Sequence, residues 1–144
     1  MIVTFCGHSE CVVDACMQQW LRGTIRALID QGAWKFYLGG YGDFDLAAAH
    51  AVWVIKKDCP QIKSVLVLPY LDRKVFADIY DYTTYPPLET VPRRLAIVRR
   101  NEWMVDSSDA VVAYVAHDWG GAASTLDYAR RKKKMILNYA DEKR

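Results

Sequence analysis

Short apolar runs alternate with amphipathic stretches along the chain. Apolar runs predict strands at residues 2–6, 34–38, 64–68, 109–115 and 135–139. Between them, apolar residues recur every three or four positions, which predicts helices at residues 11–31, 44–58, 93–105 and 122–134. Ser9 is a candidate N-cap for the first helix. The proline- and tyrosine-rich segment 69–92 predicts irregular structure, apart from a short helix at 73–79.

Strands separated by helices predict an α/β protein. We expect a Rossmann-like three-layer α/β/α architecture with a mainly parallel five-stranded sheet. The run 64–68 is apolar throughout, as in a strand covered on both faces. The 144 residues fit one domain spanning 1–144. Because parallel sheets bind ligands beyond the carboxyl ends of their strands, the loops there are the candidate site.

Two glycine-rich turns follow predicted strands and lead into predicted helices. The first runs from Gly39 to Asp45 and the second from His117 to Thr125. Glycine lets backbone approach a ligand, and a helix N-terminus favours an anion, so the turns predict a phosphate held from two sides. The first turn also fits a plain strand-to-helix connection. Asp45 takes the place of the third glycine of a dinucleotide fingerprint, and it could cap a helix or bind a ribose hydroxyl.

Polar side chains near the second turn extend this picture. The hydroxyls of Ser124 and Thr125 could join backbone amides around a phosphate, and Asp127 follows one helical turn after Ser124. Asp127 could face a sugar, or it could stabilise the helix dipole. Arg100 could bind phosphate or carboxylate, although a single arginine is also typical of a solvated surface.

Composition narrows the classes of partner. Apolar residues make up 52%, charged residues 25%, and the net charge is +2, so nucleic acid is an unlikely partner. The basic run 130–134 fits a solvated helix end. No apolar run is long enough to cross a membrane and no signal peptide is evident, so we expect a cytoplasmic protein without a membrane partner. The four cysteines have no zinc spacing, and neither a metal nor a cofactor is expected.

Several motifs in order resemble a known superfamily. Residues 4–8, 36–45, 67–70, 100–105 and 119–129 are similar to a small bacterial branch of the SLOG superfamily. That superfamily joins the Rossmann-like domains of DNA-processing protein A to the LONELY GUY phosphoribohydrolases. The resemblance runs from Met1 to about Tyr139. It implies a domain that binds a nucleotide or a nucleotide-derived small molecule, and LONELY GUY relatives are dimers, so a homo-oligomer is expected.

The LONELY GUY motifs assign candidate catalytic residues by resemblance. Their phosphate-loop motif aligns without gaps on residues 120–127, which places the catalytic glutamate at Asp127. A separate Arg-Lys-x-x-Met segment places their catalytic arginine at Arg100, ahead of Met104. Ala123 replaces a glycine of that motif and Asp127 is one methylene shorter than glutamate, so binding is favoured over hydrolysis. The alternatives are N-glycosidic hydrolysis or transfer on a nucleoside 5′-monophosphate, and non-catalytic capture of a signalling nucleotide.

The predicted ligand-binding residues all fall in the loops at the carboxyl ends of the strands or beside them. They are Gly7, His8, Gly39, Gly40, Tyr41, Gly42, Phe44, Asp45, Pro69, Tyr70, Asn101, His117, Trp119, Gly120, Gly121, Ala122, Ser124 and Thr125.

Overall fold

A six-stranded parallel sheet forms the centre of the protein. The structure, a computed structural model, describes residues 1–71 and 78–142. The strands are β1 (Ile2–Gly7), β2 (Lys35–Leu38), β3 (Lys63–Val67), β4 (Tyr82–Thr84), β5 (Ala110–Tyr114) and β6 (Met135–Asn138). Their order is β4-β3-β2-β1-β5-β6, and each neighbouring pair is parallel. The predicted Rossmann-like α/β fold is confirmed, with six strands rather than five.

The additional strand, β4, lies in the segment predicted to be irregular. It has three residues, of which Tyr82 and Thr83 are exposed, and it pairs with β3 at the edge of the sheet. A short, exposed edge strand carries no buried apolar run, so the hydrophobic pattern could not predict it. The short helix expected at 73–79 falls mainly on residues 72–77, which lie outside the described residues.

Helices cover both faces of the sheet. They are α1 (Ala15–Asp30), α2 (Asp43–Lys56), α3 (Ala96–Asp106), α4 (Gly121–Arg131) and the short α5 (Tyr139–Glu142), with a 3₁₀ turn at Arg93–Leu95. Helices α1 and α2 pack together, as do α3 and α4. Side chains alternate along β2: Phe36 joins the core formed with α1 and α2, whereas Tyr37 packs with Met104 of α3.

The first helix begins later than its apolar spacing predicts. Asp14, not Ser9, is the N-cap, and its carboxylate accepts a hydrogen bond from the Met17 N–H at 2.9 Å. Residues 8–14 therefore form a loop after β1 instead of the first turn of the helix. This loop, which we call the β1 loop, lies beside the carboxyl end of the sheet.

The strand order reverses between β1 and β5. From β1 the chain runs to β2, β3 and β4 on one side, then crosses to β5 and β6 on the other. Strands β1 and β5 run side by side to their carboxyl ends, where Gly7 of β1 pairs with Tyr114 of β5. Their loops diverge there, which opens the crevice where doubly wound sheets bind ligands. Within the part of the chain that the structure describes, no helix is long and apolar enough to cross a membrane.

Candidate functional site

A cleft of about 780 Å³ opens at this reversal of strand order. Its floor is the carboxyl end of β1. Its walls come from the β1 loop, Tyr41 before α2, Asp45 in the first turn of α2, one face of α3, the end of β5 with the loop after it, and the first turns of α4. The cleft is therefore large enough for a nucleotide-sized molecule.

The first glycine turn is filled by a carboxylate of the protein itself. The Gly39 N–H donates to Asp45 Oδ2 at 2.8 Å, and the N–H groups of Gly40 and Tyr41 also hydrogen-bond to this carboxylate. Packing explains two of the glycines: a Cβ on Gly40 would lie 2.5 Å from Leu66 Cδ1, and one on Gly42 would lie 2.6 Å from Ser9 Cα. The glycines of this turn thus permit close packing, and its amides already hold an anion.

Arg100 ties this turn to the neighbouring strand. Its Nη1 donates to the carbonyl oxygens of Gly39 and Val67, each at 3.0 Å, and its Nε donates to Asn101 Oδ1 at 2.8 Å. Burial raises the pKa of Asp45 from 3.8 to about 6, although the Arg100 charge and the backbone N–H bonds pull it down. Arg100 and Asp45 together fix the carboxyl ends of β2 and β3 beside the cleft.

The second glycine turn is open. Gly120 is the N-cap of α4 with a φ of 94°, which favours glycine, and no side chain of the described residues caps this helix. A Cβ on Gly120 or Gly121 would meet no described atom within 4 Å. The first helical bond joins the Ser124 N–H to the Gly120 carbonyl, so the preceding amides face the helix end. This end of α4 has the geometry that binds anions.

Helix α4 separates the two predicted catalytic residues. Gly121, Ala122 and Thr125 line the cleft, and the Thr125 hydroxyl donates to the Gly121 carbonyl at 3.0 Å. Ser124 and Asp127 instead line a separate hollow with Arg130, whose Nη1 donates to Asp127 Oδ1 at 3.0 Å. The two candidate catalytic residues, Asp127 and Arg100, therefore do not line the same cleft. The three-residue spacing of Ser124 and Asp127 places both on one outer face of the helix.

Three stacked rings run from the floor of the cleft to its rim. His8 stacks on His117 with ring centroids 4.1 Å apart, and His117 stacks on Trp119 at 3.8 Å. His8 Nε2 accepts the Ala116 N–H at 2.9 Å, and burial, with a smaller effect of His117, lowers the pKa of His8. Trp119 is 68% exposed and Tyr41, also on the rim, is 67% exposed. Both aromatic side chains are accessible to a planar ligand.

Most of the predicted site residues line one cleft. Those that do are Gly7, His8, Tyr41, Asp45, Arg100, Asn101, His117, Trp119, Gly120, Gly121, Ala122 and Thr125. Those that do not are Gly39, Gly40, Gly42, Phe44, Pro69, Tyr70, Ser124 and Asp127. Phe44 is fully buried beneath Gly7, and the Tyr70 ring centroid lies 4.1 Å from the guanidinium carbon of Arg93.

The sequence interpretation missed most of the β1 loop. Ser9, Glu10, Cys11, Val12 and Asp14 all line the cleft. Cys11 and Val12 fit the helical spacing of the residues that follow, so the sequence predicts them as part of the first helix. The signal against that assignment is Asp14, a strong N-cap residue placed three positions before the buried Met17.

Comparison with known proteins gives distant relatives. No protein-family model matches the sequence. The chain is 26% identical over 125 residues to the SPbeta prophage-derived protein YoqJ of Bacillus subtilis, covering 70% of this chain and 72% of that protein. It is 24% identical over 139 residues to a UPF0398 protein of Bacillus thuringiensis, covering 86% of this chain and 74% of the relative.

Solved structures share the architecture. DNA processing protein A from Helicobacter pylori superposes with a TM-score of 0.66 at 17% identity over 96% of this chain. The molybdenum cofactor carrier protein from Chlamydomonas reinhardtii gives a TM-score of 0.62 at 17% identity, over 95% of this chain and 74% of that one. Both belong to the SLOG superfamily. The chain shares the Rossmann-like architecture of these proteins.

Proteins with the SLOG fold hold different kinds of ligand, which corrects one prediction. The Helicobacter protein is described for binding single-stranded DNA, so the expectation against nucleic acid as a partner, drawn from net charge, was wrong. Overall charge is a poor guide to strand binding, since exposed aromatic rings contribute by stacking on bases. This chain spans 64% of the Helicobacter chain, less than two thirds of its length.

Proposed function

We propose that the cleft binds a nucleotide or nucleotide-derived ligand, with its phosphate at the N-terminus of α4. One observation carries this proposal: Gly120 and Gly121 lie within the cleft at a helix end that no described side chain caps, and a Cβ on either would meet no described atom within 4 Å. The φ of 94° accounts for glycine at Gly120, but neither crowding nor backbone conformation requires it at Gly121. A glycine without a packing reason leaves room for a ligand to reach the amides.

The aromatic rim supports the nucleoside half of the proposal. The inner face of Trp119 is held against His117, and its indole is largely exposed. A base that stacks on the outer face would extend the row of rings by one member. Tyr41, across the cleft mouth, offers a second aromatic contact.

Hydrolysis of the N-glycosidic bond is not part of the proposal. The carboxylate assigned to that step by resemblance, Asp127, pairs with Arg130 on the outer face of α4. Arg100 already donates to the carbonyl oxygens of Gly39 and Val67. The proposed role is therefore binding, and recovery of the bound nucleotide unchanged after denaturation would distinguish it from hydrolysis.

A charge placed at the helix end tests the phosphate position. Gly121→Asp adds a carboxylate where a Cβ has open space, so it competes with phosphate without crowding its neighbours. Ser124→Asp is the matched control, because it adds the same charge to the same helix on the outer face. Calorimetric titration with the four nucleoside 5′-monophosphates should show affinity at least about tenfold weaker in Gly121→Asp and nearly unchanged in Ser124→Asp. Binding of no nucleotide to the unaltered protein at near-millimolar concentration would refute the proposal.

A single strand of DNA is a second candidate ligand. Two exposed aromatic side chains, Trp119 and Tyr41, stand on the rim of one cleft, and the Helicobacter protein with the same fold is described for binding such strands. Stacking on aromatic rings contributes about 1–3 kcal/mol for each base, independent of sequence.

Tryptophan substitutions test strand binding. Trp119→Ala should weaken binding of an oligothymidylate measured by fluorescence anisotropy. Trp34→Ala removes an indole that is 45% exposed next to the start of β2, away from the cleft, and should leave binding unchanged. Equal losses in both variants, or no binding by the unaltered protein, would reject this candidate.

A further inference from the structure

The two glycine turns differ in what occupies their amides. The start of α4, on the β5 side of the cleft, is open, whereas the first turn, on the β2 side, is occupied by Asp45. Asp45 is 9% exposed and yet belongs to the cleft wall. A ligand in the cleft therefore meets an anion-binding surface on one side and a fixed carboxylate on the other.

The first turn has no room for a second anion. Asp45 Oδ2 lies 2.8 Å from the Gly39 nitrogen and 2.9 Å from the position of a Cβ on that residue. The Arg100 guanidinium, which would be the natural partner of a second phosphate, is 3.2 Å from the same Cβ position and donates to two backbone carbonyls. A phosphate would have to displace Asp45 to reach these donors.

The neighbouring wall adds further negative charge. Glu10 of the β1 loop is exposed and lines the cleft. Asp14 also lines it, with one carboxylate oxygen accepting the Met17 N–H. A second phosphate directed at this wall would meet like charges at short range, where screening by salt is weakest.

We propose that Asp45 is a specificity-determining residue, whose carboxylate occupies the first anion site so that the cleft selects a nucleotide with a single phosphate group. This inference rests on the proposed function, since it assumes that the first phosphate binds at α4. It assigns the ligand to the class of nucleotides that carry one phosphate, bound at α4, and no second charged group toward Asp45.

Paired nucleotides test the selection. Adenosine 5′-monophosphate is compared by calorimetry with adenosine 2′,5′- and 3′,5′-bisphosphate, which add a second phosphate to the same nucleoside. For the unaltered protein we expect both bisphosphates to bind at least about tenfold more weakly than the monophosphate. Affinities within about twofold of one another would overturn the inference while leaving the proposed function intact, and no binding of any of the three would refute both.

Variants that replace one carboxylate by an uncharged amide show which residue disfavours the second phosphate. Asp45→Asn and Glu10→Gln should each reduce the ratio of affinities by about threefold or more. Glu102→Gln is the matched control, because it removes one negative charge from α3 outside the cleft, where Glu102 pairs with Arg99. Glu10 is exposed, so its variant remains informative if Asp45→Asn does not fold. An unchanged ratio in folded Asp45→Asn, or in Glu10→Gln where Asp45→Asn does not fold, would overturn the inference.

Discussion

Replacing Asp45 with asparagine should change how the stability of the protein depends on pH. The substitution keeps the size of the side chain and an oxygen that can accept the Gly39 N–H, but it removes a carboxyl whose pKa burial raises from 3.8 to about 6. The folded protein therefore binds this proton more tightly than the unfolded chain does. Stability from Asp45 is then fully present at low pH and is lost as the pH rises from about 4 to about 6.

The shift sets the size of the effect. A difference of about two pKa units corresponds to about 3 kcal/mol. Between pH 4 and pH 7 the unfolding free energy of the unaltered protein should fall by about 2–3 kcal/mol relative to Asp45→Asn, because part of the change occurs below pH 4. His8, whose pKa is lowered, gives a contribution of opposite sign, but it is present in both proteins and cancels in the difference.

Urea denaturation at pH 4, 5, 6, 7 and 8 measures this difference directly. Leu46→Gln is the control, because it alters an exposed side chain of the same helix without adding or removing a titratable group. Its difference from the unaltered protein should not vary with pH. A constant difference for Asp45→Asn, or one in which the unaltered protein gains stability as the pH rises, would refute the assignment of a raised pKa to Asp45.

Three further predictions follow from the glycines and from α4. Gly7→Ala should lower the unfolding free energy by about 1–3 kcal/mol in urea titrations, because its Cβ would lie 2.3 Å from Phe44 Cδ2. Gly23→Ala is the control: its Cβ meets no described atom within 4 Å in α1, so it should not destabilise the protein. Gly120→Ala should lower the thermal midpoint because its φ of 94° strains any residue with a Cβ; an unchanged midpoint would contradict this. Asp127→Asn should leave calorimetric nucleotide affinity within about twofold, and a large loss would place Asp127 in the site after all.

The sequence predicts the parts of the fold that depend on local pattern. The apolar run at 64–68 predicts β3 within one residue at each end, and the helix predicted from residue 122 begins one residue earlier, at Gly121. The edge strand β4 escapes prediction because pairing with β3, not burial, forms it. The site is harder to predict than the fold. The hydrogen bond from the Gly39 N–H to the Asp45 carboxylate, which fills the first turn, forms only when the folded chain brings these residues together.

Helical spacing also limits what an alignment can assign. The motif match assigns Asp127 to a catalytic position, but the side chain direction depends on the rotation of α4 about its own axis. That rotation is set by the buried residues Ala123, Leu126 and Ala129, which face the core. Their positions leave Asp127 on the outer face, where it pairs with Arg130.

Because the strand order reverses at the cleft, both the first and the last third of the chain contribute to its walls. Gly7 and Tyr114 pair side by side at its floor, although one belongs to the first strand and the other to the fifth. Neither half of the chain alone contains both walls, so no fragment that lacks β1 or β5 could form the cleft. Ligand binding would therefore report completed folding, and a bound ligand would raise the stability of the entire sheet instead of one loop.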